Sequence, residues 1–170
     1  MKAILLGTIL AATATVTPAQ AQDHGITLTP KVGYAASTDG ESGRNKRDNV
    51  AHGAGLSTKI TENTALELEY LRSGDARKYD TTSLNAYYNL PYGVLGSNNY
   101  VMAGAGHVHD NSSSVGTQIA GQFGVGHRFA ATSPMPIKTE IRSVHYLDND
   151  SNMKQRSHEM QALIGAEFKF

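Results

Sequence analysis

A chain of 170 residues with 39% hydrophobic residues, 17 glycines, no cysteine and no tryptophan has material for one domain but hardly two. Fifteen basic residues balance fifteen acidic ones, which leaves no general attraction to nucleic acid, and the lack of cysteine excludes disulfides, thiolate metal centres and cysteine nucleophiles. Charged residues make up only 18%, below the quarter or so usual in a soluble domain, and that deficit calls for an explanation.

The chain opens Met1-Lys2, runs apolar from Ala3 to Ala14 and reaches Pro18 and the small-x-small triplet Ala19-Gln20-Ala21. This order is that of a secretory leader, so residues 1–21 are expected to be a signal peptide and 22–170 the mature domain. The apolar stretch is shorter than the roughly 20 residues a spanning helix needs, and no later window approaches that length. From there the hydrophobic period is two throughout. Leu28, Pro30, Val32 and Tyr34 oppose Thr29, Lys31 and Gly33; Leu56, Thr58 and Ile60 oppose Ser57 and Lys59; Leu66, Leu68 and Tyr70 oppose Glu67 and Glu69. Between the last two, Thr61–Thr64 reads as a polar hairpin turn. Leu84, Ala86, Tyr88 and Leu90 oppose Ser83, Asn85, Tyr87 and Asn89. In Asn99–His109, Tyr100, Met102 and Val108 share one face and Val101, Ala103, Ala105, His107 and His109 the other, with glycines leaving the outward face undecided. Val115, Thr117, Ile119, Phe123 and Val125 then alternate with Gly116, Gln118, Gln122 and Arg128, and Ile137, Thr139 and Ile141 with Lys138, Glu140 and Arg142. Finally, Met160, Ala162, Ile164, Ala166, Phe168 and Phe170 oppose Glu159, Gln161, Leu163, Gly165, Glu167 and Lys169.

These segments predict eight strands and an all-β, eight-stranded antiparallel up-and-down transmembrane β-barrel. A soluble sandwich would share the alternation, but four features favour lipid. The outward residues carry almost no charge at mid-strand, aromatics (Tyr34, Tyr70, Tyr88, Phe168, Phe170) sit toward strand ends, the chain finishes inside a strand, and a leader precedes it. Thr61–Thr64, Tyr92–Asn99 and Ala131–Pro136, nearly free of charge, are expected to face the periplasm together with both termini. The polar connections Thr38–Asp48, Ser73–Asp80, Asp110–Ser114 and Leu147–Ser157 are expected outside. The lumen would then hold Lys31, Lys59, Arg128, Lys138, Arg142 and Lys169 against Glu67, Glu69, Glu140, Glu159 and Glu167, a near-balanced ion-pair network.

The stretch Gly53–Tyr70, with Ile137–Tyr146 and the closing Gly165–Phe170, resembles the OmpA-like and opacity-type outer-membrane barrels. The resemblance implies a Gram-negative outer-membrane location and recognition of the terminal Phe170 by the barrel-assembly machinery. The chain departs from the full OmpA pattern in stopping at Phe170, so a peptidoglycan-binding domain is not expected.

A barrel of eight strands is just wide enough to be filled by side chains, which argues against a general porin. A narrow ion path past Arg142 and Glu140 is one alternative. An acid/base pair among Glu67, Glu69, Glu140 and Glu167 is weaker than structural pairing with the neighbouring cations. His107 and His109, with His52 or His127, are too sparse a set to predict a metal, and no cofactor motif appears. Small outer-membrane lipid A acyl hydrolases resemble this architecture but carry an outward His-x-Ser with a Glu partner; Ser143-x-His145 has the reverse order. The first external connection is basic at Arg44, Lys46 and Arg47, and Arg72, Arg77 and Lys78 flank the second, a mixed charge suited to lipopolysaccharide phosphates. The expected partners are therefore outer-membrane lipid and lipopolysaccharide, with no nucleic acid, and the expected state is a monomer with a structural or surface role rather than catalysis.

Overall fold

A computed structural model describes residues 25–37, 48–73, 79–91, 98–110, 117–147 and 158–170. The predicted leader, the interiors of the charged connections with Arg44, Lys46, Arg47, Arg77 and Lys78, and Val115 lie outside the described residues. The strands are β1 (Ile26–Ser37), β2 (Asp48–Lys59), β3 (Thr64–Ser73), β4 (Tyr79–Asn89), β5 (Asn99–Asp110), β6 (Thr117–Phe129), β7 (Ile137–Tyr146), β8 (His158–Ala166) and β9 (Phe168–Lys169). From β1 to β8 each strand pairs antiparallel with the next in sequence, β9 pairs with β1, and β1 pairs with both β2 and β8, so the sheet closes on itself. Closure satisfies every wall without leaving an edge, which is what a β-structure in hydrocarbon requires.

Element β9 is the tail of the eighth strand, because Lys31 faces Gly165 and Leu28 faces Phe168 in one unbroken register along β1. The ladder pauses opposite Pro30, whose carbonyl lies toward Gly165. In an antiparallel strand a residue's N–H and C=O point to the same neighbour, so proline's missing donor falls on this seam. The chain thus has eight staves in nine pieces.

The registers fix the barrel's geometry. From Ile26 the pairing path runs through Thr58, Leu66, Ala86, Ala103, Phe123, Ser143 and Met160 and returns to β1 at Ala36, ten residues from its start. Eight strands with a stagger of ten give a tilt of about 40° and a backbone radius of about 8 Å. A tilted residue then advances about 2.5 Å along the axis, so ten residues span about 25 Å, the height of a membrane barrel's apolar band.

Alternation follows the two sides of the wall. Leu68, Val125, Ile141 and Ile164 face outward at mid-height, with Ile141 57% exposed, while Glu67, Glu69, Glu140 and Arg142 face inward and are buried. The lower end is the one bearing the Thr61–Thr64 turn, where the Thr64 N–H donates to Thr61 Oγ1 at 3.0 Å. Outward Tyr88, Phe129 and Phe168 lie toward that end, and Tyr34 and Tyr70 toward the upper one. The undecided face of β5 is resolved: Tyr100, Met102 and Val108 are buried inside, and Val101, Ala103, Ala105, His107 and His109 are exposed outside.

Candidate functional site

The lumen is filled in layers. Two apolar clusters occupy its upper half, Ala35, Ala51, Leu71 and Leu163 in one and Tyr79, Val108, Ala120 and Val144 in the other. Beneath them lies a lattice of charge. Lys31 Nζ bridges Glu67 Oε1 and Glu69 Oε2 at 2.5 Å each. Arg142 Nη1 reaches Glu69 Oε1 at 2.7 Å and Glu140 Oε1 at 3.3 Å, while its Nε donates to Gln161 Oε1 at 2.8 Å. Lys138 Nζ lies 3.3 Å from Glu67 Oε2 and 3.9 Å from Glu140 Oε2. Three cations therefore share three carboxylates drawn from β1, β3 and β7, and the lattice is formally neutral. Neutrality matters because any uncompensated charge in so dry a place costs several kcal/mol.

Two tyrosines complete it from the opposite wall. Tyr87 donates its hydroxyl to Glu67 Oε1 at 2.7 Å, and its ring lies 3.6 Å from Lys138 Nζ. Tyr100 donates to the Thr139 carbonyl at 2.8 Å and meets Tyr87 edge-to-face at 5.4 Å. Its ring lies across Gly126, where any Cβ would collide with it, so the glycine is what lets a tyrosine lie flat against the wall. Glu67 lies across Gly55 in the same way. The tyrosines turn the positive faces of the lysines toward ring electrons, which replaces part of the water those ammonium groups have lost.

Other predicted lumen residues sit at different levels. Arg128 Nε pairs with Glu167 Oε1 at 2.9 Å near the lower end, with its Nη1 donating to Asn89 Oδ1 at 2.5 Å. Glu159 is buried higher up and accepts from Gln161 Nε2 at 2.6 Å. Lys59 and Lys169 keep the inward parity but stand exposed at the lower strand ends, and among the described residues they join no ion pair. Parity tells which side of the wall a residue takes; it does not tell where the wall stops. Phe170 is 79% exposed beside the end of β1, its N–H donating to the Ile26 carbonyl at 2.9 Å. Tyr87, Tyr100 and Gln161 join the lattice as partners that alternation alone does not single out, the one signal being a tyrosine sharing the charged row.

Among the described residues, the outward polar side chains bring together no nucleophile, base and orienting carboxylate. Ser143 Oγ lies 2.9 Å from His145 Nε2, but among the described residues His145 meets no carboxylate that would orient it as a base. His107 and His109 lie on the outer face and His127 bonds Asn99 Oδ1 at 2.8 Å; among the described residues no cluster of three or more His, Cys, Asp or Glu suits a metal.

A closed eight-stranded wall with an apolar exterior and a packed interior built on a charge-neutral lattice defines a transmembrane barrel of the outer-membrane type. Residues 4–168 match the outer membrane protein beta-barrel domain, and the chain belongs to that family. The fold is similar to the N-terminal β-barrel domain of Pseudomonas aeruginosa OprF, with a TM-score of 0.57 and 22% identity over 85% of this chain and 97% of that one. It is similar also to Neisserial surface protein A, with a TM-score of 0.60 and 14% identity over 88% of this chain and 98% of that one. No curated protein sequence matches significantly.

Proposed function

We propose that the chain is a sealed structural barrel of the outer membrane, acting as a monomer through the membrane it occupies and the lipid it touches. Both termini lie in the periplasm, residues 1–21 direct export, and Phe170 is the residue the barrel-assembly machinery engages. Lipopolysaccharide is the outer-leaflet partner, met through the mixed charge of the upper connections. The observation that carries this reading is the lattice of Lys31, Lys138 and Arg142 with Glu67, Glu69 and Glu140, buried across the lumen beneath an apolar layer. An open path would need water at those charges, and their partners are instead each other.

Planar-bilayer recording on protein whose folding has been verified by heat-modifiable gel mobility tests it. A silent bilayer is expected. Discrete conductance steps that change size in Glu140→Gln would overturn the sealed barrel in favour of a narrow ion path.

A further inference from the structure

Two chains of polar residues cross the outward rows. Near the upper end His52, Arg72, Asp80 and His109 are successive direct partners across β2, β3, β4 and β5. One step below them Tyr70 faces Thr82, and Thr82 faces His107. Arg72 and Asp80 form a bidentate pair on the lipid side of the wall, Nε to Oδ1 at 2.7 Å and Nη2 to Oδ2 at 3.0 Å. Near the lower end Asn99, His127 and Thr139 are successive partners across β5, β6 and β7, with His127 Nδ1 2.8 Å from Asn99 Oδ1.

Their heights follow from the register. Closure by ten residues over eight strands lifts each cross-strand partner about 3 Å above the last, and each residue up a strand adds about 2.5 Å while carrying it about 2 Å back around the wall toward the strand before. Measured from Ile26, the upper chain with Tyr70 and Thr82 lies about 16–27 Å up. On that side of the barrel the outward residues below it, from Leu68 down through Leu56 and Leu66 to Leu28 and Phe168, are apolar but for Thr58. The lower chain lies about 2–9 Å up on the opposite side, where Val125, Ile141, Ala162 and Met160 carry the apolar row on to about 22 Å. Ser143, the one hydroxyl among them, is buried and lies 2.9 Å from His145 Nε2.

We propose that the barrel sits oblique to the membrane, raised on the side of the upper chain, so that each polar chain is an interaction surface lying in a layer of lipid headgroups. The proposal rests on the reading that lipid surrounds the wall, and adds how the wall is seated in it. Held upright, an apolar band about 25 Å tall would leave Tyr70, Arg72 and Thr82 beneath its top and His127 and Thr139 above its bottom. The two incursions come from opposite sides and opposite ends, so one lean relieves both. Polar groups on a lipid-facing wall cost most at mid-membrane and little near the headgroups, which sets the direction of that lean. A vertical offset of about 8 Å between two sides about 25 Å apart corresponds to a lean of about 20°. The upper surface suits its partner in chemistry as well, since the Arg72–Asp80 pair presents both signs of charge to a layer that carries phosphates and their counter-charges.

The test is the depth of spin labels on single cysteines, which a chain without cysteine makes direct. Four variants, Thr82→Cys, Met160→Cys, Leu66→Cys and Thr139→Cys, are labelled, folded into phosphatidylcholine vesicles and checked by heat-modifiable mobility. Each label's collisions with lipid-soluble oxygen and with a water-soluble nickel chelate then give its depth. Thr82 and Met160 share a height to within about 3 Å on opposite sides, as do Leu66 and Thr139. The Thr82 label is expected nearer the chelate than the Met160 label, and the Thr139 label nearer than the Leu66 label, each by about 8 Å. Equal depth within both pairs would overturn the lean. The double variant Arg72→Leu/Asp80→Leu is expected to at least halve the difference between Thr82 and Met160, and His127→Leu/Thr139→Leu, read at the same two labels, makes the test again without touching the ion pair. No change in either would overturn the polar chains as what seats the barrel. Four labels equally open to the chelate would sink the membrane reading itself, so the two failures are distinguishable.

Discussion

Strand β7 lies between two solvents. Its inward residues Lys138, Glu140 and Arg142 are between 1% and 4% exposed, whereas Ile141, flanked by two of them in sequence, is 57% exposed. The inner row survives burial because Lys138 and Arg142 meet the carboxylates of Glu67 and Glu69 on β3 and hold Glu140 between them; the outer row survives exposure because it has nothing to solvate. One wall therefore tolerates charge conditionally and the other hardly at all, and the condition is the presence of the partner.

Breaking the condition should have the largest effect. Arg142→Met leaves Glu69 and Glu140 without their guanidinium and should cost about 3–5 kcal/mol of folding free energy, measured by urea titration in lipid vesicles. Adding Glu69→Gln should recover part of that loss, with a coupling of about 0.5–3 kcal/mol in the double-mutant cycle. Full additivity would mean the lattice is not a unit. Next comes a charge on the outer row: Ile164→Arg at mid-height should cost about 2–4 kcal/mol in the same titration and reduce the heat-modifiable fraction. Near-zero cost there would mean that water, not hydrocarbon, covers the wall. At the small end, Lys59→Gln and Lys169→Gln should each stay within about 0.5 kcal/mol, because both side chains stand beyond the rim. A loss as large as that of Arg142→Met would place them back inside.

Much of the architecture was legible because an alternating strand reports its two surroundings directly. Thr61–Thr64 announced its turn by composition, and the inward and outward rows of β3, β7 and β8 could be read residue by residue. The row of β5 could not: alanines and glycines weaken its contrast, and Tyr100 and Met102 look like residues for lipid. They lie inside because Gly126 on the next strand opens a slot for the Tyr100 ring and Thr139 accepts its hydroxyl, both matters of cross-strand register. The candidate site was legible as a set of charges and illegible as a set of pairs. Lys31 and Glu67 are 36 residues apart in sequence, and the ten-residue stagger of the wall decides that they meet.

That stagger gives the charge lattice a further consequence. Hydrophobic patterning can detect a strand that has slid by one residue, since every side chain would change sides, but it is blind to a slide of two. Such an error in β1 would leave the outer wall as oily as before while carrying the Lys31 ammonium about 6–7 Å away from Glu67 and Glu69. The ions inside thus act as a vernier on the oil outside, rejecting the even-numbered misalignments that grease alone would accept.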